Sequence, residues 1–133
     1  MNYISRCFAK YDGAFTESLK AAGFSADHAR QFVTTTVECV LYTIKHTDLK
    51  IIVKILLSED PSRILNLIDI EDLTNTLAMN PVQVNSGMEA ISPVMKLVFI
   101  KNSNEIVDAA ASLAWSSQRE INSYGLSEFI NTH

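Results

Sequence analysis

The chain of 133 residues has single-domain length, and 47% of it is apolar, enough to bury a core without disulfides or metal. Only four glycines and three prolines occur, which excludes a turn-dense β-sandwich or barrel, a collagen-like sequence and low-complexity disorder. A formal net charge of −4 excludes a general electrostatic attraction to nucleic acid or to an anionic membrane.

Residues 3–22 place Ile4, Phe8, Tyr11, Phe15, Leu19 and Ala22 at spacings of three or four, one stripe of a helix. Gly13 lies off that stripe and weakens the helix by ~1 kcal/mol relative to Ala without interrupting its packed face. Gly23 ends the segment, and Ser25 is the N-cap of the next, with Asp27 in a first turn that favours an anion. Over residues 26–46, Ala29, Phe32, Val33, Thr36, Val37, Val40, Leu41 and Ile44 share one helical face, while Arg30, Thr34, Glu38 and Lys45 fall largely on the other. Thr47-Asp48 caps a third helix in which Leu49, Ile51, Ile52, Val53, Ile55, Leu56 and Leu57 nearly surround the axis, the pattern of a helix at the centre of a bundle. Its β-branched run would also suit a strand, but no second strand is present to pair with it.

Asp60 is then a cap before Pro61, with Ile64, Leu65 and Ile68 turned inward, and a short helix over 71–79 carries Leu73, Leu77 and Ala78. Asn80-Pro81 opens a helix with Val84, Met88 and Ile91. Pro93 obliges it to kink, or to end and restart with Ser92 as cap before Val94, Met95, Leu97, Val98, Phe99 and Ile100. Lys101-Asn102-Ser103-Asn104 is a polar break, and residues 104–117 form a helix with Ile106, Val107, Ala110, Leu113 and Ala114 inward. A last segment contains Ile121, Tyr124, Phe129 and Ile130, interrupted by Gly125. The expected architecture is all-α: a compact single domain over 1–133, built as a bundle of five to seven helices.

Ser25 to Ala29 laid over Asn80 to Val84, an offset of 55, aligns cap with cap and Ala29 with Val84. Val33 then meets Met88, Val40 meets Met95 and Ile44 meets Phe99, with Leu41 opposite Lys96 as the exception. The pattern suggests duplication of a capped helix near 23–46 and 79–100, and Gly125 to Phe129 repeats the opening in truncated form. The unit Ala22 to Val33, followed by a long apolar helix, resembles the caps of YidB-like small bacterial helical proteins, and Met79 to Phe99 is similar to a second such unit. The resemblance covers about a third of the chain. It departs at Thr34-Thr35-Thr36 and in lacking that family's glycine-rich stretches. It implies a helical fold in a bacterial protein and no particular reaction.

Cys7 and Cys39 stand apart without a CxxC, and are read as buried thiols of a reducing compartment. With no signal-like apolar run at the start and no span-length apolar stretch, the expected location is cytoplasmic, with no membrane partner. The glycines are isolated, so no phosphate loop forms, and neither GxSxG nor HExxH occurs. His28, His46 and His133 have simple surface or terminal placements. No catalytic residue, metal ligand or cofactor is therefore expected, and the balance leans against an enzyme.

Two charge blocks remain. Lys45, His46, Lys50 and Lys54 gather positive charge, with no interleaved aromatic to suit nucleic acid. Glu59, Asp60, Asp69, Glu71 and Asp72 gather negative charge and read as a solvated cap region. Lys45, Lys50, Lys54, Asp69, Glu71 and Asp72 are the candidate partner-facing residues of a non-enzymatic interaction module that binds itself or another protein. The alternative is a bundle enclosing a small apolar ligand, lined by Phe8, Phe15, Phe32, Met88, Met95 and Trp115.

Overall fold

The computed structural model describes residues 3–121, with side chains described as far as Leu113. Among them are seven α-helices: α1 (Tyr3–Lys10), α2 (Asp12–Ala21), α3 (Ala26–His46), α4 (Leu49–Leu56), α5 (Ile70–Leu77), α6 (Pro81–Lys101) and α7 (Ser103–Ile121). A 3₁₀ helix (Pro61–Leu67) joins α4 to α5, and no strand occurs among the described residues. The fold is all-α, with one helix more than the expected upper count. The segment holding Tyr124, Gly125, Phe129, Ile130 and His133, and the side chains of Ala114, Trp115 and Ile121, lie outside the described residues.

The stripe over 3–22 is divided between two helices. Tyr11 sits between them with φ −106° and ψ 11°, and its amide donates to the Phe8 carbonyl at 3.0 Å in a tight turn. α1 packs on α3 and α7, whereas α2 packs on α3 and α6, so the bend lets one apolar stripe serve two sets of neighbours. Ile4, Cys7, Phe8, Phe15 and Leu19 are all buried.

Two local expectations are corrected, and at Pro93 one of the two alternatives is excluded. α4 is not the central helix: it buries Ile52 and Leu56 against α7 and the 3₁₀ helix, and leaves Ile51 49% and Leu57 59% exposed. Eight residues at the edge of the bundle are covered on one side only, whatever their composition. Asp60 makes no capping bond, because its carboxylate instead accepts from the Ser62 hydroxyl, and the segment that Pro61 opens is 3₁₀. Pro93 neither ends α6 nor makes Ser92 a cap. The Ser92 hydroxyl donates back to the Met88 carbonyl at 2.7 Å, and the helix runs on to Lys101. Glu89, whose carbonyl loses an N–H partner at Pro93, is an exposed residue, as is Pro93 itself, so the interruption faces solvent.

The buried side chains form one cluster. Phe8 meets Phe15 at 6.0 Å and Phe99 edge-on at 5.6 Å, and Phe24 meets Phe32 at 5.4 Å between ring centroids. Such tilted and edge-to-face pairs add about 0.5–1.5 kcal/mol each to the burial itself. Phe8, Phe15, Phe32 and Met95 are thus packed into the core, while Met88 borders a surface cleft.

The 55-residue echo extends through the backbone. α3 and α6 both have 21 residues and begin and end at that offset. Ser25 accepts from the His28 amide and Asn80 from the Gln83 amide, so both caps act at the same position. The preceding helices close alike. The Phe24 amide donates to Leu19 and the Gly23 amide to Lys20, while Met79 donates to Thr74 and Ala78 to Asn75, each again 55 residues on. Gly23 (φ 98°) and Ala78 (φ 54°) are the left-handed residues of the two turns. Within the helices the buried sets are Ala29, Phe32, Val33, Thr36, Val40, Thr43, Ile44 and Val84, Gly87, Met88, Ile91, Met95, Val98, Phe99, position for position. α2 and α5 each pack on both α3 and α6, so each unit's short helix also lies on the other's long one.

Candidate functional site

The outward side of α3 carries a second stripe, Thr35, then Glu38 and Cys39 side by side, Tyr42 and His46, each step a turn on. Opposite it, the end of the 3₁₀ helix, the link that follows and the first turn of α5 bring up Leu67, Ile68, Asp69 and Asp72. Between the two lies a groove of about 520 Å³. Ile68, Thr43 and half-buried Cys39 make its floor, and exposed Tyr42 and Leu67 make apolar shoulders. The exposed carboxyl residues Glu38, Asp69 and Asp72 stand along its rim.

Asp69 has a local task. Its carboxylate accepts from the Glu71 and Asp72 amides at 3.0 and 3.2 Å and caps α5, so its charge sits on the helix dipole. Glu38 and Asp72 have no such engagement. Among the described residues the only ion pair joins Lys20 to Glu17 at 3.8 Å, so none of them neutralises the groove acids or Lys45, Lys50 and Lys54. Burial, reinforced by the Glu38 and Asp72 carboxylates, pushes the Cys39 thiol above its ordinary value. It stays protonated at neutral pH and is a poor nucleophile. The Tyr42 and His46 rings stack at 4.2 Å along the rim.

The candidate residues from the sequence are all exposed, but the fold sorts them. Asp69 and Asp72 enter the groove and Glu71 does not; Lys45 ends α3 outside it; Lys50 and Lys54 stand on α4. Glu38 and Tyr42 were missed as site residues. Their signal was the second stripe on α3, which a reading of the apolar face alone passes over. His28 and His46 are exposed, as expected. Among the described residues no group of three His, Cys, Asp or Glu side chains could hold a metal ion, and no helix is long and apolar enough to cross a membrane. A second cleft of about 680 Å³ between the 3₁₀ helix and α6 is lined mainly by polar residues, including Asp60, Arg63, Asn85 and Glu89.

The fold and groove define an all-α bundle with one acidic, apolar-floored surface channel. Comparison with family models, curated proteins and solved structures finds no match for this chain.

Proposed function

We propose that the chain is a non-enzymatic helical interaction module whose α3/α5 groove receives an amphipathic helix bearing lysines and large aliphatic residues. The observation that supports this most is the pairing of apolar walls with carboxylates that no cation among the described residues neutralises. Helix-in-groove recognition needs an apolar channel for anchors at i, i+3 or i+4 and i+7, and opposite charge on the rim fixes orientation and speeds encounter. The free thiols of Cys7 and Cys39 suit a reducing, cytoplasmic setting. The likeness of the Gly23-Phe24-Ser25 opening to YidB-like proteins of bacteria adds no reaction to this reading.

Fluorescence anisotropy of a labelled Leu/Lys amphipathic helical peptide titrated with the full chain tests it. Saturable binding is expected, weakened at least about tenfold by Glu38→Lys with Asp72→Lys, with the thermal transition of that exposed pair preserved. Equal binding to the variant, or none to the wild type, would overturn the groove assignment.

A further inference from the structure

Resting on the groove reading above, we propose that its occupant is the outward face of α4 from a second copy of this chain. Lys50, Ile51, Lys54 and Leu57 are all exposed, and on a helix of 3.6 residues per turn they fall within one face, opposite buried Ile52 and Leu56. The stripe is apolar and basic at once. The groove is apolar and acidic at once. Lys50 and Lys54, one turn apart, match Glu38 and Asp72, which stand on the two walls of the channel. Ile51 and Leu57 match Tyr42 and Leu67, and among the described residues these four are most of the exposed large apolar side chains, the rest being Val82, Leu97 and Ile100 on α6.

The two surfaces also adjoin. Thr47 lines the groove, and the next residue, Asp48, caps α4 through the Lys50 amide at 2.8 Å. A twofold axis beside Thr47 therefore lets each copy insert its α4 into the other's groove, a reciprocal contact that closes at two subunits. Within one chain α4 is committed through Ile52 and Leu56 to α7 and the 3₁₀ helix, so a partner copy supplies the complement.

Sedimentation equilibrium of the full chain, with paired charge reversals, decides the matter. The wild type is expected to be a concentration-dependent dimer. Lys50→Glu with Lys54→Glu sets like charge against like at both contacts, and so does Glu38→Lys with Asp72→Lys. Each variant is expected to weaken dimerisation at least about tenfold with its helical circular dichroism unchanged. Mixed in equal amounts, the two variants pair reversed stripe with reversed groove and native stripe with native groove, and the dimer mass is expected to return. A monomeric wild type, a dimer indifferent to either reversal, or a mixture that stays monomeric overturns the proposal. If the monomeric wild type still binds the Leu/Lys peptide, the groove reading survives and only the second copy falls. If it binds neither, both fall.

Discussion

α3 and α6 bury the same seven positions at an offset of 55, yet differ in what lies between them. Where α3 exposes Glu38 and Tyr42, α6 exposes Pro93 and Leu97. Where α3 inserts the Phe32 ring, α6 has Gly87, and a Cβ built on that glycine would stand 2.6 Å from the ring's Cζ. Matching positions are thus complementary where the two helices meet, large against absent. On the outer side they differ in charge, and of the two long helices only α3 lines the acidic groove. The inner register is set by packing, which constrains both helices alike. The outer residues are not held by that packing, and there the two helices differ.

The sharpest way to break the equivalence is to charge the shared centre. Val40 and Met95 occupy matching positions, 0% and 1% exposed. Val40→Asp and Met95→Asp should each cost several kcal/mol for an unpaired buried carboxylate, a large part of a total of about 5–15 kcal/mol. Thr34→Asp, on the exposed face where α6 already carries Glu89, should cost under about 1 kcal/mol. Chemical denaturation of the three variants reads the contrast, and a tolerant Met95→Asp would dissolve the equivalence.

Gly87→Ala should destabilise by about 1–3 kcal/mol despite the better helix former, because the fully buried Phe32 ring, backed by the buried Phe24 ring 3.0 Å away, must move. Combining it with Phe32→Leu should recover part of that loss, a coupling that a double-mutant cycle in urea would detect. Thr36 has the opposite fault. Its Oγ1 is buried without a hydrogen-bond partner, whereas α6 has Ile91 at that place. Thr36→Val should therefore raise stability by about 1 kcal/mol, and a lowered thermal midpoint would show an unseen partner for the hydroxyl.

The smallest effect concerns the turns. Ala78 adopts φ 54° where its counterpart is Gly23, and a Cβ in the left-handed region costs about 1–2 kcal/mol. Glycine gives back roughly 0.5–1 kcal/mol through its freer unfolded chain, so Ala78→Gly should stabilise by about 0.5 kcal/mol. A shift in the other direction would mean that the Ala78 methyl packs against the turn.

The caps at Ser25, Asp48 and Asn80, and the buried faces of α3 and α6, were legible because each is local chemistry: an oxygen before an apolar period of 3.6. The outward face of α4 was not. Its apolar periodicity records which residues could be buried, but the number of neighbours decides which are, and an edge position supplied too few. The groove escaped for a related reason. Glu38 and Asp72 lie 34 residues apart in the chain, and only the packing of α5 on α3 brings them to one channel. The lysine and acidic blocks were visible as composition, while the absence of any ion pair between them among the described residues became visible only once the chain was folded.

Amide hydrogen exchange of the full chain, compared below and above its association concentration, tests the central claim most directly. Slowed exchange is expected over residues 48–57 and 67–76, the α4 stripe and the far wall of the groove, with α1 and α2 unchanged. Exchange that does not depend on concentration, or slowing centred instead on Leu97 and Ile100 of α6, would contradict it.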